Sequence, residues 1–286
     1  MKKIDVHIHV APETVYKDDK VFVSNPESMI THMDELGIEK AVLMSMGESP
    51  ADLGSNEGNR AICAKYPDRF AWMCSLDVRD PETVFDRLAN CKAQGAIGIG
   101  ELTQNLPFDH PFMEKIFSAA QTLSLPVLFH MSPEEGYNYG VVDRSGLPLL
   151  EKTLQAFPEV KFLGHSQPFW IEISGDVPTD PKSRNGWGKG PVTEGGALPR
   201  LFAAYPNLYG DLSANSGARA IMRDEAFGLW FLETYGDRLF FGSDMLNAEQ
   251  TLPLAAWMEG KLAAGELRQS TCEKIFYRNA QRMFTW

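Results

Sequence analysis

Apolar and ionisable side chains alternate strictly over residues 4–10, a pattern of period two that predicts a β-strand. Asp5, His7 and His9 share one face of this strand, and the apolar residues share the other. Residues two apart on a strand are separated by about 6.6 Å along the backbone, so His7 and His9 can both reach one ion. An isolated His-x-His motif more often lies on the solvent-exposed face of an edge strand. Whether these two histidines bind a metal therefore depends on the rest of the chain.

Short apolar runs recur along the whole chain and alternate with amphipathic helical patterns. The predicted strands start near residues 4, 40, 70, 96, 126, 160, 207 and 238. Helices are predicted between them, such as the one that Pro26 opens and Gly37 ends. This alternation predicts an α/β fold, a (β/α)8 TIM barrel, as a single domain over residues 1–286. An open doubly wound sheet is disfavoured, because no Gly-x-Gly-x-x-Gly opens a helix after the first strand.

The connections after the fifth and sixth predicted strands are long. Residues 166–195 are rich in Gly, Pro and charge, and this length predicts a lid or specificity loop. Arg144 and Arg184 on these loops are predicted to hold a substrate carboxylate, and Trp187 to stack on a substrate ring. The alternative for the two arginines is a solvent-facing position on the lid, and for Trp187 it is a packing role.

Composition narrows the classes of partner. The chain has 286 residues, 44% of them hydrophobic, and a net charge of −11, which fits a globular protein and disfavours a nucleic-acid partner. No apolar run approaches the length of a membrane span, so no membrane partner and a cytoplasmic location are expected. The four cysteines form no Cys-x-x-Cys pair and suit reduced thiols. The expected partner is a small-molecule substrate, and a homo-oligomer stays open.

Ionisable residues fall at the ends of the predicted strands, which meet at one face of a barrel, where the active site is built. These residues are His7, His9, Glu101, His130, His165 and Asp244. Imidazoles and carboxylates around one cavity suit a catalytic divalent metal. The predicted metal ligands are His7, His9, Glu101, His130 and Asp244, and the predicted catalytic groups that move protons are Asp244 and His165.

Some of these roles have alternatives. His165 is as well suited to ligation as to proton transfer, and Glu101 and Asp244 could each cap a helix instead. Asp77 and Asp211 also end predicted strands, where most such carboxylates cap helices, and a place as hydrogen-bond partners behind the ligands is their alternative role.

The His-x-His of the first strand, the histidines after the fifth and sixth strands and the aspartate after the eighth resemble the amidohydrolase superfamily of metal-dependent barrels. Four segments resemble its amidohydrolase-related branch, also called amidohydrolase 2. They are residues 59–70, the run Leu-Pro-Val-Leu-Phe-His at 125–130, Leu-Phe-Phe-Gly-Ser-Asp at 239–244 and Arg-Asn-Ala at 278–280. This branch includes hydrolases, lactonases and decarboxylases of aromatic or semialdehyde acids, and the resemblance covers essentially the whole chain.

The resemblance implies a metal-dependent hydrolase that uses a metal-activated water on an amide, ester or lactone of a small molecule. Zinc is the expected ion and manganese the alternative. One or two ions are expected, and the number depends on Glu101, because the fourth strand carries no lysine that could bridge two ions as a carbamate.

Three other functions are alternatives to this hydrolase. The first is non-oxidative decarboxylation of an aromatic or semialdehyde acid. The second is a metal-dependent nuclease of the TatD type, against which the Gly-Ser-Asp-Met after the eighth strand and the acidic charge both count. The third is a non-enzymatic metal-binding barrel, which is disfavoured because the candidate ligands include no cysteine and lie at the mouth of a cavity.

Overall fold

Parallel strands in sequence order form the centre of the fold. The computed structural model describes residues 1–18, 21–284 and 286. The barrel strands are β1 Lys3–Ile8, β2 Ile38–Leu43, β3 Phe70–Trp72, β4 Ile99–Leu102, β5 Val127–Ser132, β6 Phe162–His165, β7 Leu208–Asp211 and β8 Leu239–Phe240. One sheet has the order β1-β2-β3, and the other runs β4-β5-β6-β7-β8.

Hydrogen bonds also join the two sheets at both ends. Cys74 after β3 pairs in parallel with Ile99 of β4, and Ile8 of β1 pairs in parallel with Met245 beyond β8. The Val6 amide donates to the Phe241 carbonyl at 3.0 Å. Each strand therefore lies beside its neighbours in the sequence, which is the strand order of the predicted TIM barrel.

Helices connect the strands and cover them. The longer ones are Pro26–Leu36, Asn56–Lys65, Val84–Ala93, Pro111–Leu123, Pro148–Ala156, Ala197–Ala204, Ala214–Met222, Glu225–Tyr235 and Pro253–Ala263. Shorter ones are Gln167–Trp170, Pro181–Arg184, Gln269–Glu273 and Asn279–Met283. Proline often stands in the first turn, where its missing N–H costs no hydrogen bond. No helix in the part of the chain that the structure describes is long and apolar enough to cross a membrane.

Two features differ from the predicted pattern. The helix expected over residues 217–235 is two helices, because the Asp224 side chain accepts a hydrogen bond from the Phe227 amide at 3.2 Å and begins a new one. Short strands that the pattern did not predict are Val15–Tyr16, Phe22–Val23 and Val141–Val142. The last of these pairs with the end of β5. This pairing helps to position the long connection between β5 and β6, in which the short strand lies.

A compact apolar cluster fills the barrel beneath the strand ends. The cluster contains Val6 from β1, Val42 from β2, Leu128 from β5 and Leu163 from β6, and none of these side chains has exposed surface. Phe284 from the C-terminal segment packs against the same cluster. Side chains from separate strands that meet in this way are the packed interior of a barrel, and they give the polar residues above them a rigid floor.

Candidate metal centre

The ionisable residues predicted at the strand ends come together at one end of the barrel. His7 lies on β1 with His9 just beyond it, Glu101 on β4, His130 on β5, His165 at the end of β6 and Asp244 four residues after β8. All are buried except Asp244, whose side chain keeps 27% of its surface exposed. A cavity of about 260 Å³ opens over His9, Glu101, His130 and Asp244.

The imidazoles of His7 and His9 point their Nε2 atoms at each other, 3.3 Å apart. The Nδ1 of His9 lies 2.8 Å from the Leu53 carbonyl oxygen, which can only accept, so this nitrogen carries the proton. The Nδ1 of His7 lies 2.7 Å from Oδ2 of Asp211 and is held in the same way. The Nε2 atoms of the two rings are therefore directed at the same point, as two ligands of one cation would be.

The side chain of Asp244 completes this group. Its Oδ1 lies 3.4 Å from Nε2 of both His7 and His9. Atoms that each lie about 2.1 Å from one tetrahedral ion are about 3.4 Å from one another. The spacing of these three donor atoms therefore fits a single divalent ion.

Glu101 directs its two carboxylate oxygens at different histidines. Its Oε2 lies 3.7 Å from Nε2 of His7 and of His9. Its Oε1 lies 2.7 Å from Nδ1 of His130 and 3.9 Å from Nε2 of His165. The carboxylate thus lies between two pairs of imidazoles.

The buried carboxylates make this region attractive to positive charge. Burial alone would lower the pKa of His7, but Asp244, Glu101 and Asp211 outweigh it and hold that pKa well above its usual range. Burial would raise the pKa of Glu101, yet His130 and His7 hold it well below its usual range. A proton or a metal ion is therefore favoured among these side chains.

Asp211 supports two of the imidazoles from below. It ends β7, has no exposed surface, and its Oδ2 lies 2.7 Å from Nδ1 of His7 and 3.2 Å from Nδ1 of His165. Ser213 donates its hydroxyl to the same oxygen at 2.7 Å and lies 2.9 Å from Nδ1 of His165. Asp77, the other strand-end carboxylate, instead accepts from the Glu48 amide and the Ser49 hydroxyl, outside this cluster.

Replacing Asp211 by asparagine should weaken metal binding by about 10–100-fold, because the neutral amide removes the negative charge that faces Nδ1 of both imidazoles. The affinity is measured by competition with a chromophoric chelator. The matched control is Asp77→Asn, which should bind metal as the wild type does. An Asp211→Asn protein with wild-type affinity would contradict the orienting role.

The distances between donor atoms differ for His130 and His165. His165, predicted to move protons, has Nε2 close enough to His7 and Glu101 for the three to share an ion. His130, predicted as a ligand, belongs to neither close group of donor atoms and contacts Glu101 through Nδ1. Burial lowers the pKa of His130, which keeps this ring neutral and able to bind metal. The two histidines flank the same carboxylate oxygen, a relation that strand-end positions alone could not show.

The three residues predicted to bind substrate do not line this cavity. Arg184 is buried, with Nη2 3.0 Å from Oε1 of Glu172 and Nη1 donating to the Asp143 carbonyl at 2.9 Å. Arg144 is exposed on the preceding loop. Trp187 is 44% exposed and borders a different cavity. All three lie on the connections after β5 and β6, as the sequence indicates, but the structure does not bring them to the walls of this cavity.

The remaining walls of the cavity are mostly neutral. Its other lining residues are Met46, Leu53, Tyr139, Ala214, Asn215, Ser243, Leu246 and Gln250. The ring of Tyr139 lies 4.5 Å from that of His130, and burial raises the pKa of Tyr139 to about 12. No lysine or arginine is among the described lining residues. The positions of ionisable residues at strand ends do not predict these lining residues, because most of the lining residues are apolar or amide side chains outside the strands.

The fold and this cluster define a TIM-barrel protein with a candidate metal centre at the carboxyl ends of its strands. The family model described as Amidohydrolase matches residues 4–286, and the chain belongs to this family, amidohydrolase 2, whose members are metal-dependent enzymes. The resemblance noted from the sequence is thereby confirmed. No curated protein matches the chain.

Solved structures of similar fold include both hydrolases and decarboxylases. A probable 2-pyrone-4,6-dicarboxylic acid hydrolase from Acinetobacter baumannii is 18% identical, with a TM-score of 0.62 and full coverage of both chains. A 2,6-dihydroxybenzoate decarboxylase from Rhizobium is 16% identical over 99% of this chain and 98% of its own, with a TM-score of 0.63. A dihydroxybenzoic acid decarboxylase from Polaromonas sp. JS666 with bound manganese is 18% identical over 99% and 96%, with a TM-score of 0.60. At these identities the likeness shows the shared barrel fold.

Proposed function

We propose that the protein is a metal-dependent hydrolase of a small-molecule amide, ester or lactone, and that residues 1–286 form one catalytic domain. The observation that carries this proposal is Glu101, whose two oxygens face separate pairs of histidines. A carboxylate in this position can bridge two divalent ions, and paired ions about 3.5–4 Å apart are a common arrangement in hydrolytic sites. The free thiols of all four cysteines fit the cytoplasmic location that we also propose.

The donor atoms divide into two sets around Glu101. His7, His9 and Asp244, with Oε2 of Glu101, would hold the first ion. His165 and Oε1 of Glu101 would hold the second, and His130 would join them if the ion took the place of the hydrogen bond between its Nδ1 and Oε1. Nitrogen and carboxylate donors suit zinc, which we propose, and manganese is the alternative.

Asp244 is the residue placed to move protons. A divalent ion bound here would lower the pKa of water from about 15.7 to about 7 and polarise the substrate carbonyl. Asp244 keeps part of its surface exposed, and its Oδ2 lies 3.7 Å from Nε2 of His165. It would take a proton from the attacking water and pass it to the leaving group.

The cavity walls favour a substrate with few charges. Met46, Leu53 and Leu246 are apolar, whereas Asn215 and Gln250 offer amide groups for hydrogen bonds. With no lysine or arginine among the described lining residues, a carboxylate placed away from the metal ions would lack a cation. We therefore propose a neutral amide, ester or lactone substrate. Decarboxylation stays the second candidate, because four solved structures of this fold are named as decarboxylases.

The product of the reaction separates the two candidates. Metal-loaded protein is incubated in ¹⁸O-labelled water with panels of neutral lactones, esters and amides and of aromatic acids, and acid release and CO₂ are both recorded. We expect acid carrying the label from a neutral substrate, no CO₂, and no activity after chelation. Release of CO₂ from an aromatic acid without hydrolysis of any neutral substrate would reject the hydrolase in favour of the decarboxylase.

A further inference from the structure

A small side cavity adjoins the cavity over the metal centre. It encloses about 70 Å³, and the two cavities share the lining residues Ala214, Asn215, Ser243 and Gln250. The other walls of the side cavity are residues just after β7 and β8, the helix Ala214–Met222 and the start of the helix Pro253–Ala263. Because roughly 10–15 Å³ of free volume holds one water molecule, the side cavity has room for a substituent of a few atoms.

The side cavity is uncharged and offers hydrogen-bonding groups. None of its described lining residues is ionisable. Asn215, Ser243 and Gln250 line its boundary with the metal centre, and Thr251 follows beside them. A carboxylate in this space would lose water without meeting a cation, which is unfavourable. The side cavity therefore suits an uncharged polar group.

Gln250 has a hydrogen-bond donor whose identity is fixed by its neighbours. Its Oε1 accepts from the backbone amides of Leu246 at 2.6 Å and Asn247 at 3.0 Å. Because a backbone N–H can only donate, these two bonds identify the side-chain oxygen and make the other atom, Nε2, the donor. Nε2 has no acceptor among the described residues, and it keeps accessible surface. It is therefore free to donate to a bound molecule.

The turn that carries Gln250 is held on two sides. The amide of His9 donates to the Met245 carbonyl at 2.9 Å, which ties the turn to the first strand of the metal centre. Nε2 of His32 lies 2.8 Å from the backbone carbonyl oxygen of Gln250, on the outer side of the barrel. Asp244 begins the same turn, so Gln250 has a defined position relative to the metal centre.

We propose that Gln250 determines specificity by donating from Nε2 to an uncharged oxygen of the substrate at the mouth of the side cavity. This oxygen belongs to a carbonyl, hydroxyl or ether group and lies beyond the bond that is cleaved. The inference rests on the proposed hydrolysis and deepens it, because it assigns the substrate to neutral amides, esters or lactones that carry a second neutral oxygen.

Paired hydroxamates, which bind divalent metals through one end, test this contact without turnover. The hydroxamates of β-methoxypropanoic acid and pentanoic acid differ only in that an ether oxygen replaces a methylene. Titration calorimetry on the metal-loaded protein measures their dissociation constants. We expect the ether probe to bind about fivefold more tightly than its hydrocarbon counterpart, the gain expected from one hydrogen bond. The monohydroxamate of succinic acid, with a carboxylate at the same position, should bind more weakly than either.

Gln250→Glu keeps the oxygen that accepts from the two backbone amides and removes the donor. This variant should lose the preference for the ether probe and still bind acetohydroxamate. The matched control is Gln94→Glu, which makes the same charge change at an exposed position and should keep the preference.

The outcomes separate this inference from the proposed metal centre. If acetohydroxamate binds in a metal-dependent manner but the wild type does not prefer the ether probe, or Gln250→Glu keeps the preference, the role of Gln250 is overturned alone. Tightest binding of the succinate probe would likewise overturn it. If no hydroxamate binds before or after metal loading, the metal centre is overturned together with the role of Gln250.

Discussion

Replacing Asp244 by asparagine should lower kcat about a thousandfold while metal stays bound, because asparagine keeps an oxygen for the ion but cannot take up a proton. The backbone of Asp244 has a φ of 57°, a left-handed conformation that asparagine adopts as readily as aspartate. The substitution therefore isolates proton transfer from changes in the loop. The measurements are kcat on the substrate identified by the product assay and metal content by mass spectrometry.

An exposed carboxylate elsewhere on the same end of the barrel provides the control. Asp109 lies on the loop after β4, and Asp109→Asn should leave kcat unchanged. If Asp244→Asn retained more than about a tenth of the wild-type kcat with its metal in place, Asp244 would not be the base.

Replacing Arg184 by methionine should reduce the free energy of unfolding by about 3–5 kcal/mol, the loss expected when one member of a buried ion pair is removed. Arg184 and Glu172 are both almost fully buried, 3.0 Å apart. Arg184 also donates to the carbonyls of Pro133 and Asp143, so it ties the loop after β5 to the loop after β6. Urea unfolding followed by circular dichroism measures the change.

A double substitution separates the charge pair from packing. Glu172→Gln in the Arg184→Met background removes the uncompensated charge yet keeps an acceptor for the Gly146 amide, so it should restore part of the lost stability. Arg144→Met, a substitution of an exposed arginine on the loop after β5, should change stability by less than about 0.5 kcal/mol. Equal stabilities of Arg184→Met and wild type would show that the pair does not anchor these loops.

The barrel and the meeting place of its ionisable residues are largely predictable from the sequence. Period-two runs separated by helical patterns indicate the strands, and the (β/α)8 order then brings the end of every strand to one face. His7, His9 and Asp244 lie together for this reason, although more than two hundred residues separate the first from the last. The local pattern of each strand agrees here with the order of strands in the barrel, so these two features are enough to place the three residues together.

The orientation of side chains depends on contacts that no local pattern records. The proton position on His9 follows from the Leu53 carbonyl, forty-four residues away in the chain. Which oxygen of Glu101 faces His130 depends on side-chain rotation, which a strand-end position does not determine.

The long loops illustrate the same limit. The sequence predicts that Arg184 is a cation of the lid loop. Its burial depends on an ion pair with Glu172, which contacts it only in the folded chain. Ser213 has no signal in the sequence, and its contact with His165 exists only because β6 and β7 pair side by side. Such partners come from tertiary packing and need the structure to be found.

Counting the divalent ions bound per chain tests the bridging role of Glu101 most directly. The metal content of purified, metal-saturated wild type and Glu101→Gln is measured by mass spectrometry. Zinc anomalous scattering from wild-type crystals locates the ions. We predict about two ions per wild-type chain, on either side of Glu101, and one or none in Glu101→Gln. A single ion in both proteins, or ions bound away from Glu101, would contradict the two-metal centre.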